Sequence, residues 1–397
     1  MSASALPVRP LTFMLVCGEP SGDQLGAQLM AGLKAVAGEN VKMTGVGGPA
    51  MEAQGLHSLF PLDATAVMGL REVVPRIPAI LARVRQAADF ALQTRPDAVV
   101  LIDSPDFTHR IAQRIKRIDP SIRTVNYVAP QVWASRAYRA RKMARYFDLV
   151  LALLPFEAPF FEAHGLHSVF VGHPVIERAA RMKGGDALRK RLGIAPDAPL
   201  LVVLPGSRSS EIRFIFPQFR DAVRLIGSRV PGLQTIIATV PHVAARVREL
   251  SRDWPAPLHI VESEDDKFAA FDAADVALAA SGTVTTELAL ANTPMVVGYK
   301  LGWLTYVLAR PFINVPYVTL VNLLLEREAV PELLQRRCTP ERLADAVTTL
   351  LRDPAARERQ DADLKEAVNR LGLGGEAPSL RAARALLDFA SRKPSAG

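Results

Sequence analysis

Three short segments of the chain combine glycine with residue types that bind phosphate, and each directly follows an apolar run. They are Gly18-Glu19-Pro20-Ser21-Gly22-Asp23, Pro205-Gly206-Ser207-Arg208 and Ser281-Gly282-Thr283. Glycine lets the backbone approach a ligand closely, and the unpaired N–H groups at the start of a helix attract anions. These segments are therefore the first candidates for a binding site.

The segment Ser281-Gly282-Thr283 gives the clearest signal for a phosphate site. We predict that a helix begins here, so that its N–H groups and its dipole favour an anion. Glu287 follows Thr283 by four residues, which places both on one helix face and the carboxylate within reach of ribose hydroxyls. The alternative is a capping box, in which Glu287 would serve only its own helix. That motif needs the glutamate three residues after the cap residue, and Val284 cannot serve as that cap.

The segment Gly206-Ser207-Arg208 is a second candidate for holding a diphosphate. We expect its turn to expose backbone N–H groups, while Arg208 supplies a guanidinium that neutralises a leaving phosphate. The alternative is a surface loop with an incidental arginine, since motifs this short also occur by chance. We favour the binding site.

Two further features suit sugar chemistry. Gly18 and Gly22 permit close backbone approach, and Asp23 or Ser21 can cap the following helix, although an ordinary strand-to-helix turn explains this segment equally well. Asp103 ends an apolar run, at the position where catalytic side chains of α/β proteins project into a cleft. A partly shielded carboxylate there can accept a proton from a sugar hydroxyl.

Apolar and basic residues are interleaved between residues 67 and 85, as in a helix that lies in a membrane interface. Pro75 and Pro78 argue against one continuous helix, so we predict a kink or a start near Pro78. Taken alone, the pattern favours burial in the core over membrane contact. Its apolar members are Val67, Met68, Leu70, Val73, Val74, Ile77, Ile80 and Leu81.

No metal or cofactor site is indicated. The seven histidines show neither His-x-x-x-His nor His-Glu-x-x-His spacing. Cys17 and Cys338 lie far apart and offer neither a disulfide framework nor a cysteine-based zinc site, which fits a reducing, cytoplasmic setting.

The charge balance favours anionic partners. The 397 residues include 48 Lys and Arg against 40 Asp and Glu, a net charge of +8. Nucleic acid is not expected as a partner, because the three Trp and six Tyr are scattered and do not accompany one basic groove. No apolar run reaches the roughly 18 residues of a membrane span, and the short run 11–17 leads straight into a glycine segment, so we do not expect export.

Short apolar runs alternate with helical patterns, as in parallel sheets covered by helices. Strands are predicted at 12–17, 41–46, 98–103, 124–128, 149–153 and 168–171, and again at 200–204, 234–238, 258–261, 276–280 and 295–298. The fold class is therefore α/β, with two doubly wound Rossmann-like domains at residues 1–174 and 175–397 that face a cleft. The segment from Pro340 onward is predicted to be helical. Ligands of such folds bind at the carboxyl ends of the strands.

The candidate segments also form part of a longer ordered set of motifs. It comprises Gly18-Glu19-x-Ser21-Gly22-Asp23, Gly45-Val46-x-Gly48-Pro49-x-Met51, Ala66-Val67-Met68-Gly69, Ile102-Asp103-x-Pro105-Asp106-Phe107, Pro130-x-Val132-Trp133-Ala134, Leu154-Pro155-Phe156-Glu157, Gly172-His173-Pro174, Leu204-Pro205-Gly206-Ser207-Arg208, Ala280-Ser281-Gly282-Thr283, Pro294-Met295-Val296-Val297-Gly298-Tyr299 and Asn322-Leu323-Leu324. From near residue 11 to about residue 340, this set resembles the lipid-A-disaccharide synthase family. One departure is Ser135, where many members carry a second Trp on the acceptor side.

The resemblance implies an inverting glycosyltransferase of GT-B type. That family joins UDP-2,3-diacylglucosamine to 2,3-diacylglucosamine 1-phosphate (lipid X), forms a β-1,6 disaccharide and releases UDP. It works without a metal or cofactor, acts peripherally on the anionic cytoplasmic face of the inner membrane, and is implied to form a homodimer with exchanged C-terminal regions.

Together the residues and the resemblance assign roles. Asp103 is the expected base, in a first domain on the acceptor and lipid side. Gly206, Ser207, Arg208 and the segment Ser281-Gly282-Thr283 are expected to hold the UDP diphosphate in the second domain, with Glu287 on the ribose and Asn322 reaching the nucleotide. The loop with Gly18, Glu19, Ser21, Gly22 and Asp23 is expected to close over the donor sugar or the acceptor. The patch from Val67 to Leu81 then becomes lipid-facing.

Two alternatives stay open at this point. One is another GT-B-like enzyme that acts on UDP-sugars, such as a UDP-N-acetylglucosamine 2-epimerase, which would turn over its substrate without an acceptor. The other is a non-enzymatic anion-binding protein. The apolar and basic patch favours an enzyme with a lipid acceptor.

Overall fold

The computed structural model describes residues 9–62, 70–132, 138–302 and 316–392, and of residues 70–76 the backbone only. The chain divides into two units, which are described separately below. The first comprises residues 1–174 together with 375–397, and the second comprises residues 175–374.

The first unit is built on a six-stranded parallel sheet in the order β2-β1-β3-β4-β5-β6. The strands are β1 Leu11–Cys17, β2 Val41–Val46, β3 Ala98–Ile102, β4 Thr124–Tyr127, β5 Leu149–Ala152 and β6 Ser168–Phe170. All five residues of β3 are buried, as expected of a central strand covered on both faces. The helices of this unit are Pro20–Ala37, Pro49–Ala53, Leu70–Thr94, Pro105–Ile118, Tyr138–Met143, Glu157–Glu162 and Pro378–Ser391.

The second unit also has a six-stranded parallel sheet, in the order β12-β11-β10-β7-β8-β9. Its strands are β7 Leu200–Leu204, β8 Gln234–Ala238, β9 Leu258–Val261, β10 Val276–Ala279, β11 Met295–Tyr299 and β12 Glu332–Leu334. A 3-10 helix at Pro174–Arg181 leads into this unit. Its α-helices are Gly185–Leu192, Ser209–Arg229, Pro241–Leu250, Glu264–Ala273, Thr283–Leu290, Leu320–Leu325, Pro340–Arg352 and Pro354–Arg370.

The predicted strands are confirmed, each to within one residue at either end. One further strand, β12, was missed, because its buried first residue is the charged Glu332 and the segment does not read as an apolar run. Both sheets and their covering helices confirm the predicted doubly wound α/β class.

One expectation about helices is wrong. The helix Leu70–Thr94 begins before both Pro75 and Pro78, so the predicted start near Pro78 does not occur. Each proline removes one backbone hydrogen bond near the beginning of the helix. The helix nevertheless forms because its later turns bury Val84, Ala87 and Ala91 in the core of the first unit.

The assignment of the whole C-terminal segment to the second domain is also wrong for its last helix. Pro378–Ser391 packs against Pro20–Ala37 in the first unit. Two arginines fix it there: Arg123 Nη1 donates to Phe389 O at 2.7 Å, and Arg381 Nη2 donates to Phe170 O at 2.9 Å. The two helices approach closely at Gly32, where a Cβ atom would lie 2.5 Å from Ser379 O.

The order of strands decides where ligand-binding segments meet. In the first sheet the chain winds outward from β1 in both directions, and in the second it does so from β7. Crevices in such sheets open at the carboxyl ends of the two strands where the winding reverses. These strands are β1 and β3 in the first unit, and β7 and β10 in the second.

No helix within the described ranges is long and apolar enough to cross a bilayer.

Replacing Gly32 with alanine tests the docking of the last helix. A methyl group there meets the backbone of Ser379, so Gly32→Ala should lower the free energy of unfolding by about 1–3 kcal/mol, measured by urea denaturation of the full chain. Gly227 in Ser209–Arg229 is the matched control, because a Cβ there meets no atom within 4 Å. Gly227→Ala should raise the free energy of unfolding by about 0.5–1 kcal/mol. An equal response of the two variants would contradict the close helix contact.

Candidate functional site

A cavity of about 320 Å³ lies at the carboxyl ends of β7 and β10 in the second unit. It brings together two of the segments singled out in the sequence, although they are more than 70 residues apart. Its lining includes Gly206, Ser207, Arg208, Glu211, Thr239, Lys267, Ser281, Gly282, Thr283, Val284 and Glu287. The cavity is thus where the strand order predicts a ligand.

The helix Thr283–Leu290 begins at this cavity, as predicted. Its cap residue is Gly282, and no side chain among the described residues caps the helix. The Thr285 hydroxyl donates to Gly282 O at 2.8 Å and so supports the turn without using the first N–H groups. An uncapped helix start that lines a cavity is a favourable place for an anion.

Glu287 lies one turn along this helix and is held by two cations. Its side chain is 5% exposed, and its carboxylate accepts from Arg178 Nη1 at 2.7 Å and from Lys267 Nζ at 2.9 Å. The sequence analysis identified the carboxylate but missed both cations. They come from the 3-10 helix Pro174–Arg181 and from Glu264–Ala273, and no local pattern in the sequence links them to Glu287.

The turn at Gly206 differs from the expectation. The Glu211 carboxylate accepts from the backbone N–H of Ser207 at 2.9 Å and of Arg208 at 3.2 Å, so these N–H groups are not free for a phosphate. Gly206 has a φ of 106°, and a Cβ there would lie 2.6 Å from the same carboxylate, so glycine is required by both conformation and space.

Arg208 remains available to a ligand through its side chain. Its guanidinium pairs with Glu211 at 2.9 Å, yet the side chain is 72% exposed at the mouth of the cavity. Because Glu211 also accepts two backbone N–H groups, its carboxylate keeps partners when an entering anion shares the Arg208 guanidinium.

In the first unit, the segments after β1 and β3 meet. Ser21 Oγ donates to Asp103 Oδ2 at 3.0 Å. Asp103 and Ser104 have φ angles of 53° and 45°, a left-handed conformation that costs about 1–3 kcal/mol per residue and is concentrated at functional sites. Gly18 makes this turn possible, because a Cβ there would lie 2.9 Å from the Ser104 Cβ.

The loop predicted over residues 18–23 is shorter than expected. The helix Pro20–Ala37 begins at Pro20, so Ser21, Gly22 and Asp23 form its first turn and cannot close as a loop. Glu19 stands at the cap position just before it. Burial raises the pKa of Glu19, and the nearby carboxylates of Asp103 and Asp106 raise it further.

Asp23 is a structural residue. It is buried, and its carboxylate accepts three backbone N–H bonds: from Gly48 at 2.8 Å, Ala50 at 2.9 Å and Met51 at 3.0 Å. These groups start the helix Pro49–Ala53, so Asp23 caps that helix. Its expected contact with a donor or an acceptor stays a prediction.

Asn322 is likewise occupied inside the second unit. It is fully buried, its amide nitrogen donates to Val330 O and Glu332 Oε1 at 2.8 Å, and its oxygen accepts from the N–H groups of Ala329 and Val330 at 2.8 Å. The residue does not line the cavity at β7 and β10. In this structure Asn322 serves the packing of the second unit, and its contact with the nucleotide stays a prediction.

A histidine near Asp103 in sequence is unsuited to act as the base. His109 Nδ1 lies 3.2 Å from the Tyr146 hydroxyl, and its ring packs edge-on against Phe147 at 5.0 Å. Burial lowers the pKa of His109 to about 4, so the imidazole is neutral and enclosed at neutral pH.

The apolar and basic patch is described only in part. Val67 and Met68 lie outside the described residues, as do the side chains of Leu70, Val73 and Val74. Of the remaining members, Ile77 is 43% exposed, whereas Ile80 packs against the core and Leu81 is half-buried. Ile80 therefore serves the core, and Ile77 presents an apolar side chain at the surface.

Within the described ranges, no group of three or more His, Cys, Asp or Glu side chains is placed to hold a metal ion.

The described fold has solved relatives that are distant in sequence. A UDP-N-acetylglucosamine 2-epimerase from Neisseria meningitidis bound to UDP-GlcNAc matches with a TM-score of 0.60 at 11% identity, across 96% of this chain and 99% of that one. MurG from Acinetobacter baumannii matches with a TM-score of 0.56 at 15% identity, across 96% and 99%. These similarities show the fold, which is of the GT-B type.

Sequence comparison is more specific. Residues 13–377 match the family described as lipid-A-disaccharide synthetase. The chain is 49% identical over 386 residues to a lipid-A-disaccharide synthase of Rhodospirillum centenum, across 97% of this chain and 96% of that protein. It is 47% identical over 377 residues to one of Paramagnetospirillum magneticum, across 94% and 96%. The chain therefore belongs to the lipid-A-disaccharide synthase family of glycosyltransferases.

Proposed function

We propose that this protein condenses UDP-2,3-diacylglucosamine with 2,3-diacylglucosamine 1-phosphate (lipid X) and inverts the anomeric carbon of the donor. The products are the β-1,6-linked disaccharide 1-phosphate and UDP. Family membership supports this reaction. The observation that carries it is the cavity at β7 and β10, where an uncapped helix start, an exposed arginine and a buried carboxylate line one space.

The second unit binds the nucleotide in this account. The diphosphate lies at the start of Thr283–Leu290, where Ser281, Gly282 and Thr283 offer N–H groups and hydroxyls. Arg208 reaches it from the other side of the cavity, and Glu287 accepts the ribose hydroxyls. Gly206 and Ser207 shape the turn that presents Arg208. Negative charge that develops on departing UDP is thereby stabilised.

The first unit supplies the base and binds the acceptor. The 6-hydroxyl of the acceptor attacks the anomeric carbon, the bond to UDP breaks, and the hydroxyl proton passes to the Asp103 carboxylate. Ser21 orients that carboxylate through its hydrogen bond. Gly18, Glu19 and Gly22 lie beside it and border the acceptor sugar. Because its pKa is raised, Glu19 retains a proton to a higher pH than an ordinary glutamate.

Membrane contact is assigned to the first unit. Both proposed substrates carry acyl chains, so the enzyme must meet them at the cytoplasmic face of the inner membrane. The exposed Ile77, with exposed Arg85 two turns later on the same helix, presents the apolar and basic character that suits an anionic lipid surface.

An epimerase activity is the alternative that the fold alone would allow. The solved epimerase relatives are only 11–15% identical to this chain, whereas lipid-A-disaccharide synthases reach 49%. Turnover of the UDP-sugar without an acceptor would favour the epimerase.

Replacing Asp103 tests the proposed chemistry. Purified protein is incubated with both lipid substrates, and the disaccharide is quantified by mass spectrometry. Asp103→Asn should lower turnover by about 10²–10⁴-fold, because an amide cannot accept the proton, while UDP affinity stays unchanged. Asp106→Asn, three residues on in an exposed first turn, is the control and should keep near-normal turnover. Near-normal turnover of Asp103→Asn would remove Asp103 from the role of base, and absence of product from the natural protein would overturn the proposed reaction.

Replacing Arg208 tests the diphosphate site. Arg208→Ala should weaken UDP binding by about tenfold in isothermal titration calorimetry, because it removes a charged hydrogen bond to phosphate. Arg213→Ala is the control and should leave UDP affinity unchanged. Arg213 is an exposed cation in the helix that begins directly after Arg208, and its guanidinium lies over the Phe214 ring. Equal affinities for all three proteins would contradict the placement of Arg208.

The lipid-facing role of Ile77 is tested by co-sedimentation with vesicles that contain acidic phospholipid. Ile77→Gln should reduce the bound fraction severalfold, because an apolar anchor is lost from the interface. Ile118→Gln is the matched control, since Ile118 is 54% exposed but ends a different helix. A similar loss in both variants, or in neither, would argue against a specific patch.

A further inference from the structure

The carboxylate of Glu287 belongs to a cluster of charged side chains. Glu287 is 5% exposed, and each of its two oxygens accepts from a different cation: Oε1 from Arg178 and Oε2 from Lys267. A buried carboxylate without partners would be strongly destabilising, and the two cations offset that cost for Glu287.

Both cations are themselves fixed. The Lys267 ammonium lies 4.6 Å from the centre of the Phe268 ring and 5.9 Å from that of Phe271, and its side chain is 22% exposed. Arg178 lies 3.7 Å from the Glu264 carboxylate in addition to its contact with Glu287. These contacts hold the two donors, and through them the plane of the Glu287 carboxylate.

Among the described residues, the two cations leave acceptor positions of the Glu287 carboxylate unused. An ionised carboxylate has about four acceptor positions, and the two cations use one on each oxygen. One further position on each oxygen matches two adjacent hydroxyl groups. Glu287 and Lys267 both line the cavity in which the nucleotide is proposed to bind.

We propose that Lys267 and Arg178 are positioning residues that orient Glu287 to accept both ribose hydroxyls, and that this cluster makes the site selective for ribonucleotides over 2′-deoxyribonucleotides. The inference rests on the proposed function, since that places the ribose at Glu287. A site that hydrogen-bonds a hydroxyl rejects the analogue without it, because its polar group is left unpaired.

A merely structural ion pair makes a different prediction. Loss of such a pair would weaken the binding of UDP and of 2′-deoxy-UDP by the same factor, because both nucleotides would meet the same disturbed cavity. Loss of a positioning cation instead affects mainly the ligand that has the 2′-hydroxyl. The ratio of the two dissociation constants therefore separates the two roles.

The experiment measures both dissociation constants by calorimetry on the full chain. The natural protein should prefer UDP by about tenfold or more. Two variants, Lys267→Met and Arg178→Met, should each reduce that preference to below about threefold. They should change the affinity for 2′-deoxy-UDP by less than about twofold, and methionine keeps the apolar stem of Lys267. Lys267→Arg should restore most of the preference.

Arg224→Met is the matched control. Arg224 is an exposed arginine of the second unit that pairs with Asp221 and does not line the cavity, so its loss should leave the preference intact. The use of two independent variants keeps the test decisive if one of them fails to fold.

The outcomes distinguish the inference from the proposed function. A natural protein that does not bind UDP overturns both. One that binds UDP but does not discriminate against 2′-deoxy-UDP overturns the inference and leaves nucleotide binding standing. A preference that survives in Lys267→Met and Arg178→Met, or that falls equally in Arg224→Met, also overturns the inference.

Discussion

In each sheet the chain adds strands on both sides of the first strand, and this strand order decides where a ligand can bind. β1 lies between β2 and β3, and β7 lies between β8 and β10. The connections that follow β1 and β3, and those that follow β7 and β10, therefore leave toward opposite faces of their sheet. A crevice opens at the carboxyl ends of each of these two pairs of strands. Ser21 and Asp103 meet at the first of these points, and the cavity lined by Arg208 and Glu287 lies at the second.

Much of this organisation could be predicted from the sequence because it depends on local patterns. Strands that are buried on both faces are apolar throughout, so β3 and β7 can be identified as apolar runs. The residues that directly follow these runs are then the candidates for the site. Prediction failed where tertiary packing decides. The helix Leu70–Thr94 tolerates two prolines because its later turns are buried, and Pro378–Ser391 joins the first unit through a contact at Gly32 that no local pattern reveals.

The roles of single charged residues were harder to predict, because their partners are distant in the chain. Asp23, Glu211 and Glu287 look alike in a sequence as acidic residues near glycine. Asp23 is used to cap a helix, Glu211 accepts the N–H groups that were expected to bind phosphate, and Glu287 lines the cavity and pairs with cations 109 and 20 residues away. Only the fold shows which carboxylate is left for a ligand.

The central claim is that the start of Thr283–Leu290 binds the diphosphate of a uridine nucleotide whose ribose lies at Glu287. The most direct test is a crystal structure of the protein with UDP. The account predicts phosphate oxygens within about 3 Å of the N–H groups of Gly282 or Thr283, and ribose hydroxyls at hydrogen-bond distance from the Glu287 carboxylate. A nucleotide bound elsewhere, with the cavity at β7 and β10 empty of it, would contradict the account.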